Sequence, residues 1–183
     1  MEFSEENIRL AIAGDRNAFV ELMKRTELQL YQTAWAIVKR PEDCDDAMQE
    51  AILKAFKSIH ALREPSYFKT WIFRILINEC LRILEKNKKT VAIGDTAQFG
   101  GLQRNEYSAV DLRDAVDRLE ENLKIVIVLH YYQDMNINQV ANILQLTPAA
   151  VKTRLFRARQ KLMQSYSDQQ DQKEGKINYG TFY

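Results

Sequence analysis

The chain has 183 residues, enough for one or two domains, and its 26 Lys and Arg nearly balance 25 Asp and Glu, for a formal net charge of +1. An apolar content of 46%, with only six Gly and three Pro, fits packed helical cores, and no run of alternating β-branched residues argues for a strand. Cys44 and Cys80 lie far apart without CxxC spacing, His60 and His130 are isolated, and no Gly-rich phosphate loop is present. A disulfide framework, a metal site and a catalytic constellation are therefore not expected, nor is a cofactor or a small-molecule substrate.

The first residues, MEFSEENIRL, are acidic and polar, unlike a signal peptide, and apolar runs such as residues 125–132 are too short to span a bilayer. An intracellular, cytoplasmic protein is expected. Residues 5–13 and 16–39 read as helices, the second with an apolar stripe of Phe19, Leu22, Met23, Leu30, Tyr31, Ala34, Trp35 and Val38. Pro41 opens a third helix over about 42–60, with Ala47, Ala51, Phe56 and Ile59 on its buried side. Its first turn carries Glu42, Asp43, Asp45 and Asp46, which complement the helix dipole. That bland account does not reach Gln49 and Glu50, a turn later.

A short loop, Ala61–Ser66, precedes a fourth helix over 67–87. Its apolar residues are too many for one face, which predicts a central position, and Lys69, Arg74 and Arg82 interleave with the aromatics. Residues 88–108 lose periodicity and hold three of the six glycines, so they read as a flexible linker. Helices are expected again over 111–119 and 123–132, and the polar tail, 165–183, is expected to be disordered. The fold class expected is all-α: an N-terminal helical domain over 1–87 and a C-terminal one over 109–164.

Residues 137–163 hold five basic residues, Lys152, Arg154, Arg157, Arg159 and Lys161, and no acidic one. Positive charge concentrated in a nearly neutral chain is the footprint of a phosphate-backbone binder. Ile137, Val140, Ala141 and Leu144 mark a short helix, Gln145 and Leu146 a turn, Thr147 an N-cap and Pro148 the first residue of a second helix. Small Ala141 lets the two helices cross closely, and Val151 plugs the space between them. Ala149, Lys152, Thr153, Phe156, Arg157 and Gln160 fall on the outward face, where short residues ahead of Lys and Arg suit insertion into a major groove. The pattern is that of a helix-turn-helix; a plain basic amphipathic helix is the alternative.

With these motifs in place, residues 5–164 resemble a bacterial extracytoplasmic-function (ECF) sigma factor of the sigma-70 type. PEDCDDAMQEAILKAF at 41–56 is similar to the family's acidic docking helix, and the resemblance implies that Asp43, Asp45, Asp46, Gln49 and Glu50 meet the clamp of the largest subunit of core RNA polymerase. FKTWIFRILIN at 68–78 is similar to the signature at which the family captures and melts the promoter −10 element. Arg63 in the preceding loop, Lys69, Trp71, Arg74, Asn78 and Arg82 would be its DNA contacts, because a melted base offers a face for stacking and its phosphates attract cations. Core packing is the competing explanation for Trp71. VKTRLFRARQKL at 151–162 resembles the helix that reads the −35 element, implying contacts from Thr147, Ala149, Lys152, Thr153, Arg154, Phe156, Arg157 and Lys161 to double-stranded DNA.

The resemblance further implies that the preceding helices face the flap of the second-largest subunit. It also implies an anti-sigma factor as partner, which in this family is often membrane-anchored. Three departures stand out: Gln145 where such turns usually have Gly, Leu119-Glu120 where Leu-Pro is common, and Arg82 and Glu85 where an acidic and then a basic residue are more usual. Two other functions fit parts of the pattern. A conventional helix-turn-helix regulator with a sensing or dimerising N-terminal domain would leave the Gln-Glu helix unexplained. A helical adaptor would use the basic helix on an acidic protein.

Overall fold

The computed structural model describes residues 4–92 and 112–177, and every element among them is helical. The N-terminal unit holds α1 (Glu5–Ile12), α2 (Arg16–Val38), α3 (Pro41–Ser58) and α4 (Phe68–Ala92), with 3-10 turns at Ile59–Ala61 and Pro65–Tyr67 before α4. Gly14, at φ 102°, turns the chain between α1 and α2 in a conformation that costs a Cβ-bearing residue energy. The Asp15 carboxylate then caps α2 by accepting from the backbone N–H groups of Asn17 and Ala18 at 2.8 and 3.1 Å, an arrangement worth about 1 kcal/mol. Pro41 at the first helical position and Glu42 and Asp43 in the first turn open α3.

The core is built around α4. Phe68, Ile72, Phe73, Leu76, Ile77 and Cys80 are all fully buried on it, so the predicted central position is correct. Truncating Leu76 to Ala would cost about 2–5 kcal/mol. Ala47, Ala51 and Ala55 have no exposed surface, and these small side chains let α3 lie close along α4. The apolar spacing of α3 puts Phe56 on its buried side. It is instead 45% exposed, with its ring edge-on to Phe19 at 5.2 Å, because Ala55 occupies the buried position.

The C-terminal unit holds α5 (Leu112–Asp117), α6 (Glu121–Ile127), α7 (Ile137–Leu144) and α8 (Pro148–Ile177). The expected single helix over 123–132 is α6 followed by a π-type turn, Val128–Tyr132. Two boundaries also differ. The fourth helix does not stop at residue 87 but runs to Ala92; the rest of the predicted linker, 93–108, lies outside the described residues. Residues 165–177 were expected to be disordered and instead continue α8. Between Met163 and Gly175 the chain has no Gly or Pro and carries four Gln, so no helix breaker stops the helix as it runs past the last core contact. Residues 178–183 lie outside the described residues.

The two units pack on each other. α7 lies against α4, and α6 with the π-type turn lies against α2. Lys39 pairs with Asp117 at 2.5 Å, Lys88 with Glu121 at 2.7 Å, and the Lys69 ammonium donates to the Gln133 backbone carbonyl at 2.7 Å.

Candidate nucleic-acid and docking interface

Helix α3 divides its charge along its length. Asp45, Asp46 and Gln49 are exposed and Glu50 is half-buried, whereas no acidic residue follows Glu50 and Lys54 and Lys57 take over. Asp46, Gln49, Glu50 and Leu53 line one wall of a groove of about 450 Å³, whose other wall is Arg82, Ile83 and Lys86 of α4. Asp43 is set apart from this face. It is half-buried, accepts from the Asn87 amide at 2.9 Å and lies 3.9 Å from Arg40, so it ties α3 to the far part of α4.

On α4, Arg74, Asn78 and Arg82 are all exposed and recur every four residues, which puts them on one face of the helix. Trp71 is half-buried, its ring 6.0 Å from that of Phe68, and with Tyr67, Thr70 and Arg74 it borders a pocket closed from the other unit by Asn142. Arg63 is exposed in the loop before α4. Lys69 points at Gln133 rather than into solvent, and burial pushes its pKa down while nearby Asp134 opposes that shift. Arg82 is held at 2.7 Å by Glu79, a buried carboxylate whose other oxygen meets Lys54 at 2.5 Å. Nothing in the sequence pattern singles out Glu79 or Lys54. A carboxylate inside an apolar helix face, with a lysine one helix away, is visible only once the two helices are packed.

The helix-turn-helix is built as its sequence suggests. Gln145 sits in the left-handed region at φ 54°, ψ 43°, and its N–H donates to the Ala141 carbonyl. The Thr147 hydroxyl accepts from the Ala150 N–H at 3.2 Å, capping α8, while a capping box of Asn136 and Gln139 starts α7. Val151 is fully buried between the helices and Ala141 is 5% exposed. Ala149, Lys152, Thr153, Phe156, Arg157 and Gln160 are all exposed, so the outward face is the predicted one. Two of the proposed −35 residues stand apart from it. Arg154 is half-buried and lines a cleft of about 550 Å³ between the units, opposite Asn78 and Leu81. Lys161 pairs with Glu120 at 2.5 Å, and this contact pulls the Glu120 carboxyl below its ordinary pKa.

Nothing in these surfaces resembles a reaction centre. Among the described residues there is no cluster of His, Cys, Asp and Glu able to hold a metal ion, and no helix is long and apolar enough to cross a membrane. Burial raises the Cys44 thiol to about 11 and the Cys80 thiol to about 12, so both remain protonated near neutral pH and behave as packing groups.

Two helical units, one with an acidic helix beside an aromatic and basic one and the other ending in a basic helix-turn-helix, define a two-region transcription factor. Sigma-70 region 2 matches residues 22–90 and Sigma-70, region 4 matches residues 109–162. The RNA polymerase sigma factor SigV of Bacillus subtilis is 34% identical over 130 residues, covering 70% of this chain and 78% of that protein. The ECF RNA polymerase sigma factor SigM of Mycobacterium tuberculosis is 31% identical over 153 residues, covering 82% and 78%. Among solved structures, CnrH bound to the cytosolic domain of CnrY superposes with a TM-score of 0.68 at 23% identity, covering 90% of this chain and 97% of that one. RpoE of Bartonella quintana, bound to the anti-sigma factor NepR, gives 0.66 at 21% identity, covering 79% and 95%.

The chain belongs to the ECF RNA polymerase sigma factors of the sigma-70 family. It is a transcription initiation factor that binds core RNA polymerase, and not an enzyme. This membership sets aside the conventional regulator and the protein-only adaptor.

Proposed function

We propose that this sigma factor divides its work by surface. On α3, the exposed Asp45, Asp46 and Gln49 and the half-buried Glu50 dock on the clamp of the largest polymerase subunit, with Asp43 supporting α3 from behind. Arg63, Trp71, Arg74, Asn78 and Arg82, joined by Lys69 once it is released from Gln133, capture the melted −10 strand. Thr147, Ala149, Lys152, Thr153, Phe156 and Arg157 read the −35 duplex, with Arg154 and Lys161 at its margins, and α6 with the π-type turn faces the flap of the second-largest subunit. The domains run over 1–87 and 109–164, in a cytoplasmic protein. The observation that carries this reading is the charge division: exposed carboxylates on α3 suit a basic coiled-coil partner, while the outward face of α8 is cationic and uncapped by the rest of the fold.

The packing of α7 on α4 supports a second element of the proposal. Lys69 is occupied by Gln133, and Asn78 lies in the cleft with Gln145 and Leu146. The −10 surface of the free chain is thus partly covered, and docking on core separates the units and exposes it. An anti-sigma factor, which CnrH and RpoE suggest by having been captured with a protein partner each, would hold this chain away from core. In vitro transcription from genomic fragments with purified core polymerase tests the reading. Transcripts that need this protein, with permanganate-reactive thymines at their −10 positions, are expected. Tight footprinting of a promoter by the free chain would overturn the coupling of DNA binding to core docking.

A further inference from the structure

The three polar contacts between the units share one direction. In each the ammonium belongs to the first unit: Lys39 at the end of α2 meets Asp117, Lys88 of α4 meets Glu121, and Lys69 meets the Gln133 carbonyl. A second regularity falls on the same seam. Among the described residues, Lys39, Asp134 and Gln145 are the non-glycine residues with positive φ, at 61°, 53° and 54°. Glycine adopts that conformation freely, and a residue with a Cβ only at a cost. Each of the three stands where the units meet: Lys39 in its bridge to Asp117, Asp134 close to Lys69, and Gln145 on the cleft opposite Asn78 and Leu81. A glycine would end these helices more cheaply but would bring no side chain to the seam.

We infer that the free chain carries an ionic latch, in which Lys39 and Lys88 clasp Asp117 and Glu121 and so hold the second unit over the first. The inference rests on the reading that docking on core separates the units, and it names what docking must undo. Both bridges are partly exposed, so each shifts the ratio of closed to open chains by only about two- to fivefold and weakens with salt. A seam held by apolar burial alone would not weaken in this way. A further lysine makes the clasp reversible. Lys124 of α6 is half-buried; burial lowers its pKa, Asp117 and Glu121 oppose that shift, and Lys39 adds to it. Lys124 thus attracts the two carboxylates that the first unit grips and repels one of the gripping lysines. When the units part, Asp117 and Glu121 keep Lys124 as a neighbour, so opening strands neither carboxylate.

The test places donor and acceptor dyes on Lys24→Cys and Arg118→Cys, exposed positions in the two units, in the full chain, whose native thiols are buried. Förster energy transfer is read from low to high sodium chloride, without and with core polymerase. Transfer should fall as salt rises. Asp117→Lys should lower it already at low salt, and Lys39→Asp in the same chain should restore it, aspartate being tolerated at a left-handed helix end. Lys124→Met should act the other way and move the opening to higher salt, which a loss of packing could not do. Transfer indifferent to salt and to Asp117→Lys, but lowered by core, overturns the latch and leaves opening on docking in place. Transfer unchanged by core overturns that reading, whatever salt does. Failure of the reversed pair to restore transfer, or opening by Lys124→Met, also overturns the latch.

Discussion

The two helices assigned to DNA are prepared to different degrees. On α8, the outward residues from Ala149 to Gln160 are exposed, and the helix is locked by a hydroxyl cap and a buried plug, Val151. On α4, nearly every assigned residue has another engagement: Lys69 with Gln133, Trp71 with Phe68, Arg82 with Glu79, and Asn78 within the cleft shared with α7. A duplex reader can be finished in advance because its ligand exists before it arrives. A surface for melted DNA has no ligand until the promoter opens, and engaging Lys69 and Trp71 beforehand withholds them from non-specific partners, while Arg74 and Arg82 stay exposed. Under the proposed assignment, the difference between α8 and α4 would mirror the order in which the two promoter elements become available.

In the proposed division of surfaces, the largest effect should come from neither DNA helix but from α3, whose docking on core would precede both contacts. Asp46→Ala with Gln49→Ala removes two exposed groups that bury nothing in the free protein, so the fold should be unaffected. If these are docking hot spots, the loss in core binding is on the order of 2–4 kcal/mol, read as a fall in holoenzyme assembly by fluorescence titration. Asp43→Ala should behave differently. Its carboxylate accepts from Asn87 and lies near Arg40, so part of its effect should appear as a lower melting temperature. Equal core-binding losses without any change in thermal stability would break the distinction drawn between Asp43 and its neighbours.

Next in size is Arg157→Ala on α8. A base contact should cost about 1–3 kcal/mol at one −35 position and relax selectivity there, whereas a phosphate contact would weaken all sequences alike. Lys69→Met on α4 tests the other side of the comparison. It removes one charged hydrogen bond between the units, worth about 1.5 kcal/mol where both partners are part-buried. The free protein should then show faster amide exchange in α7 and at Gln133. The effect of pH has a definite sign. Burial lowers the Lys69 pKa in the packed state, so the packed state holds fewer protons than the separated one. Its stability should rise as pH climbs from the lowered value towards the ordinary lysine value near 10.5. A packed state that loosened over that interval would contradict the placement of Lys69 against Gln133.

The same contrast explains what could be read from the sequence. Local signals were enough for α8: Thr147 and Pro148 announce a helix start, and spacing alone puts Val151, Leu155 and Ala158 inward, where they are found. The all-α class and the central position of α4 followed from periodicity and apolar excess. The engagements of α4 did not, because Glu79 needs Lys54 from 25 positions earlier and Lys69 needs a carbonyl 64 positions later. No window of sequence contains both partners. Phe56 failed for a related reason: its spacing allowed the core, but Ala55 won the buried place once α3 had to approach α4 closely. Residues 165–177 continue α8 although their polarity suggests disorder, because a helix already capped and packed at one end can propagate through Gln-rich sequence free of Gly and Pro up to Gly175.

The smallest predicted effect concerns the turn that joins α7 to α8. Gln145 adopts φ 54°, ψ 43°, a conformation that costs a Cβ-bearing residue about 1 kcal/mol relative to Gly. Gln145→Gly should relieve that strain, although a more flexible unfolded chain takes back part of the gain. A net stabilisation of about 0.5 kcal/mol and a slightly higher melting temperature are expected. The side chain has a second consequence, since it lines the cleft between the units beside Leu146 and opposite Asn78. If the glutamine helps to cover α4, Gln145→Gly should stabilise the helix-turn-helix while loosening the packing of the units, so exchange should slow at Ala141 and quicken along the exposed face of α4. Both changing in the same direction would mean that the turn and the cleft are one cooperative unit, and that the covering of α4 is a property of the fold as a whole rather than of the residues that touch it.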